Sequence, residues 1–442
     1  MKNALMNTYI SLRSPIQALK TSQQSIKGLR WWILGLLVLA MINSYIDRGN
    51  ISMAAPLITD YFNLDAKMKG YIFSSFLLGY ALMQIPAGMM VDRFGIKLTY
   101  TIAFIVWGIT AATFGIATAF WHLIALRILL GIWESISGPA GNAYVGRYFD
   151  ENERGFASGL LLSGSKFGPA IGAIVAGVLL ESYGWQMLFI LCGLVPLIWV
   201  LPWWSLYKKQ EQLELKNQAS ENKLTAQSDT QTGTKTRRAS LTKLLQNKKI
   251  QGIFLGYFCY GYVWFLYISW LPSYLYDELG FSIKETGWWA GFAYGSLAIV
   301  VIVAGYLSDV FIRRGHCPTK VRKSFVIAGF LTGSLIIPVP FIENAQYAMY
   351  LVIITISGMG LATANTWAIS QTIAPRGSIG TVAGIQNFAA TFGGFFAPII
   401  TGYFIEVSGS YMSAFVLAGI LMLLGIFSYV FLIGKIEEIQ FD

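Results

Sequence analysis

Three cysteines and two histidines are all that the 442 residues offer toward disulfide or metal chemistry. Cys192, Cys259 and Cys317 form an odd set without ligand spacing, and His122 and His316 stand far apart, so neither a disulfide framework nor a His/Cys metal cluster is expected. No G-x-x-x-x-G-K-[ST] loop is present, which removes the phosphate cradle an ATP-driven machine needs. No nucleophile with a paired base is visible either, so an enzyme is not expected, and no cofactor is implied. Charged residues make up only 12% of the chain. The first 30 residues lack the short apolar core and small-residue cleavage site of a secretory leader; apolar stretches begin at Trp31, and the first of them is expected to serve as an uncleaved signal.

What is abundant is apolar surface. At 55% hydrophobic residues and a mean hydropathy of +0.56, the chain cannot be wrapped as an ordinary soluble globule. It reads as an all-α polytopic membrane protein. A crossing takes about 20 mostly apolar residues, and such stretches number twelve: 31–58, 69–90, 98–118, 120–146, 154–180, 185–207, 250–276, 286–308, 324–342, 346–373, 378–405 and 411–434.

Lysine and arginine fall unevenly around these spans. With the N-terminus placed inside, the inside segments hold 26 of them, and the outside loops hold only Lys67, Lys69 and Lys284. Positively charged loops stay cytoplasmic, so both termini are expected there. The net charge of +10 is spread over these edges rather than gathered on one soluble face, which argues for topogenic charge and against a nucleic-acid partner.

Residues 208–249 are the one long polar interruption and read as a solvated cytoplasmic linker whose ends could lie helical on the membrane surface. They divide the chain into a cytoplasmic segment 1–30, a six-span bundle 31–207, the linker, a second six-span bundle 250–434 and a tail 435–442. Two equal halves suggest a repeat. Matching positions carry matching residues: Gly88-Met-Met-Val-Asp92 after the second span corresponds to Gly305-Tyr-Leu-Ser-Asp309 after the eighth.

Five ionisable residues fall inside spans: Asp47 and Arg48 in the first, Arg127 and Glu134 in the fourth, and Lys166 in the fifth. A charge at bilayer depth costs at least about 2.5 kcal/mol, so it usually lines a functional path. Arg127 and Glu134 are seven residues apart, on one helix face and about 10 Å from each other, too far for a direct pair yet both able to face one cavity. Asp47 and Arg48 splay apart, which puts Arg48 on the face of Tyr45 and turns Asp47 elsewhere, toward the fourth span in the simplest arrangement. Arginine offers a planar fork suited to a carboxylate, making Arg48 with Tyr45 and Tyr80 the leading anion-binding group. Asp47 and Glu134 are the candidate proton carriers, with Arg127 as a pairing or gating cation beside Glu134. Lys166 lies about 18 Å into its helix, too deep to snorkel easily, and is open to two readings, a second cation for the substrate or a structural pair with an acid. The bland alternative for the other four is mutual neutralisation, although buried ion pairs are poor sources of stability.

The pattern Gly88-x-x-x-Asp92-Arg93-x-Gly95-x-Lys97, with its degenerate copy at Gly305, Asp309, Arg313 and Arg314, resembles the signature loop of the major facilitator superfamily. The resemblance implies a role in gating between two pseudo-symmetric six-helix bundles. Gly164-x-x-x-Gly168-Pro169-x-x-Gly172 adds a small-residue face for close helix packing, echoed by Gly393, Gly394, Pro398 and Gly402. Tyr45-Ile-Asp47-Arg48, Phe76-x-x-x-Tyr80-x-x-x-Gln84-x-Pro86, Arg127-x6-Glu134, Ala364-Asn365-Thr-Trp367 and Asn387-Phe388 together resemble the anion:cation symporter family, which includes sugar-acid, sialic-acid and vesicular glutamate carriers. That resemblance implies substrate contact at Trp367 and Asn387, with Tyr257 lining the same second-half site. The chain departs from the sugar-acid members where they tend to carry glutamine in spans five and seven and a serine near the tryptophan; here stand Ser165, Tyr257 and Ala364. The expectation is a monomeric, proton-coupled symporter of a small organic anion in a bacterial inner membrane. An exporter or exchanger of an anionic metabolite or siderophore-like carboxylate is the runner-up, and a transport-dead sensor a more distant third.

Overall fold

The computed structural model describes residues 2–149, 151–224, 241–375 and 378–440, with side chains from Gly28 onward except at 85, 151, 152, 155 and 216–224. The helices in chain order are α1 (Lys2–Phe62), α2 (Ala66–Phe94), α3 (Ile96–Thr113), α4 (Phe120–Glu134), α5 (Ser137–Tyr148), α6 (Glu151–Leu194), α7 (Val200–Leu224), α8 (Leu241–Gln246), α9 (Lys248–Ser273), α10 (Ile283–Arg313), α11 (Pro318–Ser334), α12 (Ala345–Ile373), α13 (Ile379–Ser408) and α14 (Met412–Phe427). No strand occurs among the described residues.

Ten helical segments are long and apolar enough to cross a bilayer unaided. Pro86 adds an eleventh: without an N–H and with its ring against the preceding turn, it bends α2 by 49° between Ala66–Gln84 and Pro86–Phe94. The twelfth comes from the apolar run Phe156–Leu215, whose 60 residues would make a rod of about 90 Å against a hydrocarbon core of about 30 Å. Gly184, at φ 77° and ψ 176°, breaks that run into two crossings. The expected fourth span is also interrupted: α4 ends at Glu134 and α5 begins at Ser137, three residues before Ala140 and just ahead of Pro139, which cannot donate into the turn at Ser135.

Within the first bundle α6 packs on α1 and α3, and α4 packs on α2. Within the second, α13 packs on α9, and α12 on both α10 and α11. Two further seams, α6 with α10 and α2 with α13, join the bundles. The linker is not wholly solvated: α7 runs through Leu224, and Lys97–Glu211 (2.7 Å), Arg147–Glu214 (3.5 Å) and the Tyr144 hydroxyl donating to Gln210 (2.8 Å) dock its polar part on the first bundle. Residues 225–240 of the linker, and the end of the tail at 441–442, lie outside the described residues.

The seams are tight at one end of the molecule only. A Cβ on Gly70 would stand 2.6 Å from the Pro398 carbonyl oxygen, and one on Gly177 would stand 3.0 Å from the Gly287 Cα. Lys69–Asp277 (3.5 Å), Lys284–Glu181 (3.1 Å), the Ala66 amide on Glu406 (3.2 Å) and the Ser74 hydroxyl on the Phe395 carbonyl (2.8 Å) bridge the bundles at or near that same end. At the opposite end a Cβ on Gly88, Gly138, Gly380 or Gly384 would meet nothing within 4 Å. Among the described residues no ion pair crosses between bundles there. The bundles are closed at the Ala66 end and parted at the Asp92 end.

Because the closed seam depends on backbone contact at Gly70, G70V should weaken it. A single cysteine replacing Ser74, in a background without the native cysteines, should then label with a membrane-impermeant maleimide at least threefold faster than without G70V. Equal labelling rates would show that the seam tolerates the side chain.

Candidate functional site

Where the seams converge at mid-membrane, α1, α2, α3, α4 and α6 bring the buried charges together. Helix α4 can approach α2 because Gly131 faces the Phe76 and Tyr80 backbone, a Cβ there standing 2.8 Å from the Tyr80 nitrogen. That crossing sets Arg127 and Glu134 beside Phe76. Helix α6 approaches α1 through the predicted small-residue face: Gly164 lies against Val38, Gly168 against Ile42 and Tyr45, and Gly172 against Ile46. Lys166, two residues and about 200° around α6 from Gly168, leaves this crossing for the other bundle.

Arg48 is 6% exposed and Glu134 is fully buried. The Arg48 Nε donates to Glu134 Oε2 at 3.0 Å, and the Ser44 hydroxyl donates to the same oxygen at 2.6 Å. The guanidinium sits in an aromatic box, 4.4 Å from the Tyr45 ring centre, 4.9 Å from that of Phe76 and 4.6 Å from that of Tyr80. Its two Nη amines make no hydrogen bond among the described residues and are not sealed from solvent. Arg48 is therefore half engaged, with one edge of its fork on Glu134 and the other edge open.

One expectation about this cluster needs correction, the direction of Asp47. Glu134 pairs with Arg48 rather than with Arg127, because α1 brings Arg48 across to the end of α4, whereas Arg127 lies two turns back on α4 itself. The Arg127 guanidinium instead stands 4.7 Å from the Phe76 ring centre, its buried Nε without a partner. Asp47 does not point to the fourth span. Its Oδ2 accepts from the Trp107 indole on α3 at 2.6 Å and from the Asn43 amide one turn earlier at 3.1 Å. Asp47 is 3% exposed and Trp107 1%. Neither Trp107 nor Asn43 nor Ser44 carries a motif that would have singled it out.

Lys166 has no acidic partner among the described residues, which removes the structural-pair reading. Its Nζ lies 4.6 Å from the ring centre of Trp264 on α9, in the other bundle. Also from that bundle come Tyr257, stacked on Tyr260 at 5.4 Å and edge-on to Trp367 at 5.8 Å, and Tyr260 in turn shares a hydrogen bond of 2.7 Å with Thr363. The Asn387 side chain is half-buried and makes no hydrogen bond among the described residues, while its carbonyl accepts from Thr391. Of two further amides on the same helices, Gln386, which the sequence analysis did not single out, is fully buried with both amide atoms unpaired, and Asn365 leaves its Oδ1 unpaired.

The signature loop stays apart from this centre. Gly95 (φ 81°) caps α2 by donating its N–H to the Val91 carbonyl and starts α3, a backbone state a side chain would strain. Lys97 is held by Glu211, Asp92 and Arg93 are exposed near Gly88 at the parted end, and the Asp309 carbonyl accepts from Arg313 at 3.3 Å. A surface crevice of about 310 Å³ lies beside this loop, lined by Lys97, Arg147 and Trp204 among others, and does not reach the central charges.

With that geometry in hand, comparison with known proteins is informative. Residues 37–398 match the model of the Major Facilitator Superfamily. The D-galactonate transporter of Escherichia coli O6:H1 is 29% identical over 96% of this chain and 99% of its own. The hexuronate transporter of Bacillus subtilis is 30% identical over 88% of this chain and 90% of its own. Among solved structures, a bacterial homologue of the human lysosomal transporter Spinster superposes with a TM-score of 0.68 at 19% identity, covering 91% of this chain and 94% of that one, and so shares the fold.

Removing one member of a buried ion pair leaves the other uncompensated, at a cost of about 3 kcal/mol or more. E134A should accordingly lower the thermal unfolding midpoint in detergent by several degrees, and E134Q, whose amide oxygen still accepts from Arg48 and Ser44, by clearly less. Equal midpoints for E134A and wild type would mean that Arg48 does not depend on Glu134 for its stability.

Proposed function

Because the chain belongs to the Major Facilitator Superfamily, we propose that it is a secondary carrier that imports a small organic anion together with protons by alternating access. Membership makes it a transporter and not an enzyme. The proposed substrate is a carboxylate of sugar-acid type, in keeping with the relatives named for D-galactonate and hexuronate. The observation that carries the reading is the divided fork of Arg48, one edge on Glu134 and the other open.

An incoming carboxylate and the Glu134 carboxylate compete for the same guanidinium. When Glu134 takes a proton it stops competing, and Arg48 can turn its full bidentate face to the substrate. The reverse also holds: an anion that occupies Arg48 makes protonation of Glu134 easier, since binding free energies are reciprocal. Proton and anion then load together and leave together. Asp47, held by Trp107 and Asn43 with its Oδ1 unengaged, is the second proton site in this reading. Tyr45 and Tyr80 wall the fork, Arg127 raises the local positive field from the far side of Phe76, and Tyr257, Trp367 and Asn387 shape the opposite wall.

The parted end bears Arg93, Lys97, Arg147, Arg313 and Arg314, so the positive-inside rule makes it cytoplasmic and the conformation inward-open. Both termini then face the cytoplasm of a bacterial inner membrane, with 31–207 and 250–434 as the moving bundles of a monomer and 208–249 as their tether. The loop residues Gly88, Asp92, Arg93, Gly95 and Lys97, with Asp309, would close against the opposite bundle when this end shuts.

Purified protein in liposomes with an imposed inward-acid gradient and a panel of radiolabelled sugar acids tests the reading directly. Wild type should accumulate one of them several-fold above equilibrium, and a proton ionophore should abolish the accumulation. E134Q should retain exchange of internal for external substrate while losing gradient-driven accumulation. Uphill uptake by E134Q at the wild-type level would remove Glu134 from coupling, and exchange without any response to the gradient would favour an exchanger.

A further inference from the structure

Lys166 is the one central charge that the coupling scheme leaves unused. Among the charges carried deep in the spans, Arg48, Arg127 and Lys166 outnumber Asp47 and Glu134, a surplus of one positive charge before any proton enters. Each proton taken up by Glu134 or Asp47 adds another. A substrate bearing a single negative charge, loaded with one proton, would leave a cation uncompensated in a low-dielectric interior, and such a charge is costly. A substrate bearing two negative charges cancels it.

The geometry fits that count. Lys166 stands two residues before Gly168, whose backbone rests on Tyr45, and Tyr45 in turn carries the Arg48 guanidinium at 4.4 Å. The two cations are thus carried by neighbouring packed helices, Arg48 on α1 and Lys166 on α6, with the Lys166 amine turned about 200° from Gly168 and extended to Trp264 on the second bundle. The Lys166 Nζ makes no hydrogen bond among the described residues and is not sealed. It rests over Trp264, a ring held edge-on to Tyr294 at 6.0 Å. An ammonium on an indole face is a weak association compared with a charge-assisted hydrogen bond to carboxylate or sulfonate oxygens. Trp264 therefore holds the amine in place without satisfying it.

We propose that Lys166 is a second anion subsite, so that the carrier selects organic dianions, one acidic group on the open edge of Arg48 and the other drawing the Lys166 amine away from Trp264. The proposal rests on the organic-anion reading above and sharpens it to substrates with two acidic groups.

Matched pairs that differ in one acidic group test it: gluconate against glucarate, and acetate against sulfoacetate. Affinities of the purified full-length protein are measured by competition or by ligand-induced shift of the unfolding temperature. At least one dianion should bind the wild type tenfold or more tightly than its monoanionic partner. K166M should reduce that ratio to under twofold, chiefly by weakening the dianion, whereas K166R, which keeps the charge, should retain most of it. If K166M is not recovered folded, K166Q serves for the same ratio. A preference that survives loss of the charge overturns the subsite, as does a wild type that binds gluconate or acetate with no gain from the second acidic group. Failure of the wild type to bind any of the four would overturn the organic-anion reading itself, a different outcome from loss of the ratio alone.

Discussion

The rest of this structure is arranged around one constraint: a guanidinium buried at mid-membrane must be compensated. Arg48 meets it three ways at once, through the carboxylate of Glu134 at 3.0 Å, through the faces of Tyr45, Phe76 and Tyr80, and through an edge left open. The aromatic faces matter because they stabilise a cation without carrying a charge of their own. On the proposed coupling they would keep Arg48 in place while Glu134 is neutral. A purely ionic cage could not do this, since each protonation would leave an unpaired charge behind. On the proposed coupling, the box would let Glu134 change its protonation state without loss of the site's geometry.

The two bundles contribute unequally to that site. All five charges carried deep in the spans come from the first, and the second adds tyrosine, tryptophan and amide groups. This division has a mechanical consequence. Glu134 and Arg48 belong to helices of one bundle, α4 and α1, so their pairing survives any rigid displacement of the other. Only the contacts made from across the seam, such as Trp264 on Lys166, must change as the bundles rock. Charge compensation is internal to one moving part, and selection by shape occurs between the two.

Most of the architecture was legible in the chain because bilayer crossing is a one-dimensional constraint on apolar length. The small-residue face of the fifth span was legible too, because spacing by four places Gly164, Gly168 and Gly172 on one side of a helix, where they meet α1. What the sequence could not give was direction around a helix relative to neighbours whose order was unknown. Asp47 was turned toward the fourth span by adjacency reasoning alone, yet it faces α3, where Trp107 reads as one apolar residue among many. Arg127 was too far along its own helix to pair directly with Glu134, but which residue would pair could not be read from the chain, and it is eighty-six positions away at Arg48. The break between α4 and α5 was likewise hidden inside a continuous apolar run, with Pro139 as its only sign. Partners contributed by different helices leave no periodic trace in the chain.

Helix α6 ties these observations together. Its glycine face is fixed on α1, its outer part meets α10 where Gly177 lies against Gly287, and between the two Lys166 reaches Trp264 on α9. A helix is stiff over this length, so the three contacts cannot vary independently. Parting the closed end moves Gly287 away from Gly177 and carries the second bundle, Trp264 included, relative to Lys166. Conversely, a ligand that draws the Lys166 amine off the indole removes one of the contacts that hold the bundles in their present relation. Glycine at the seam and lysine at the centre are then two ends of one lever, which is why a charge placed deep in an apolar helix can bear on which face of the membrane the site sees.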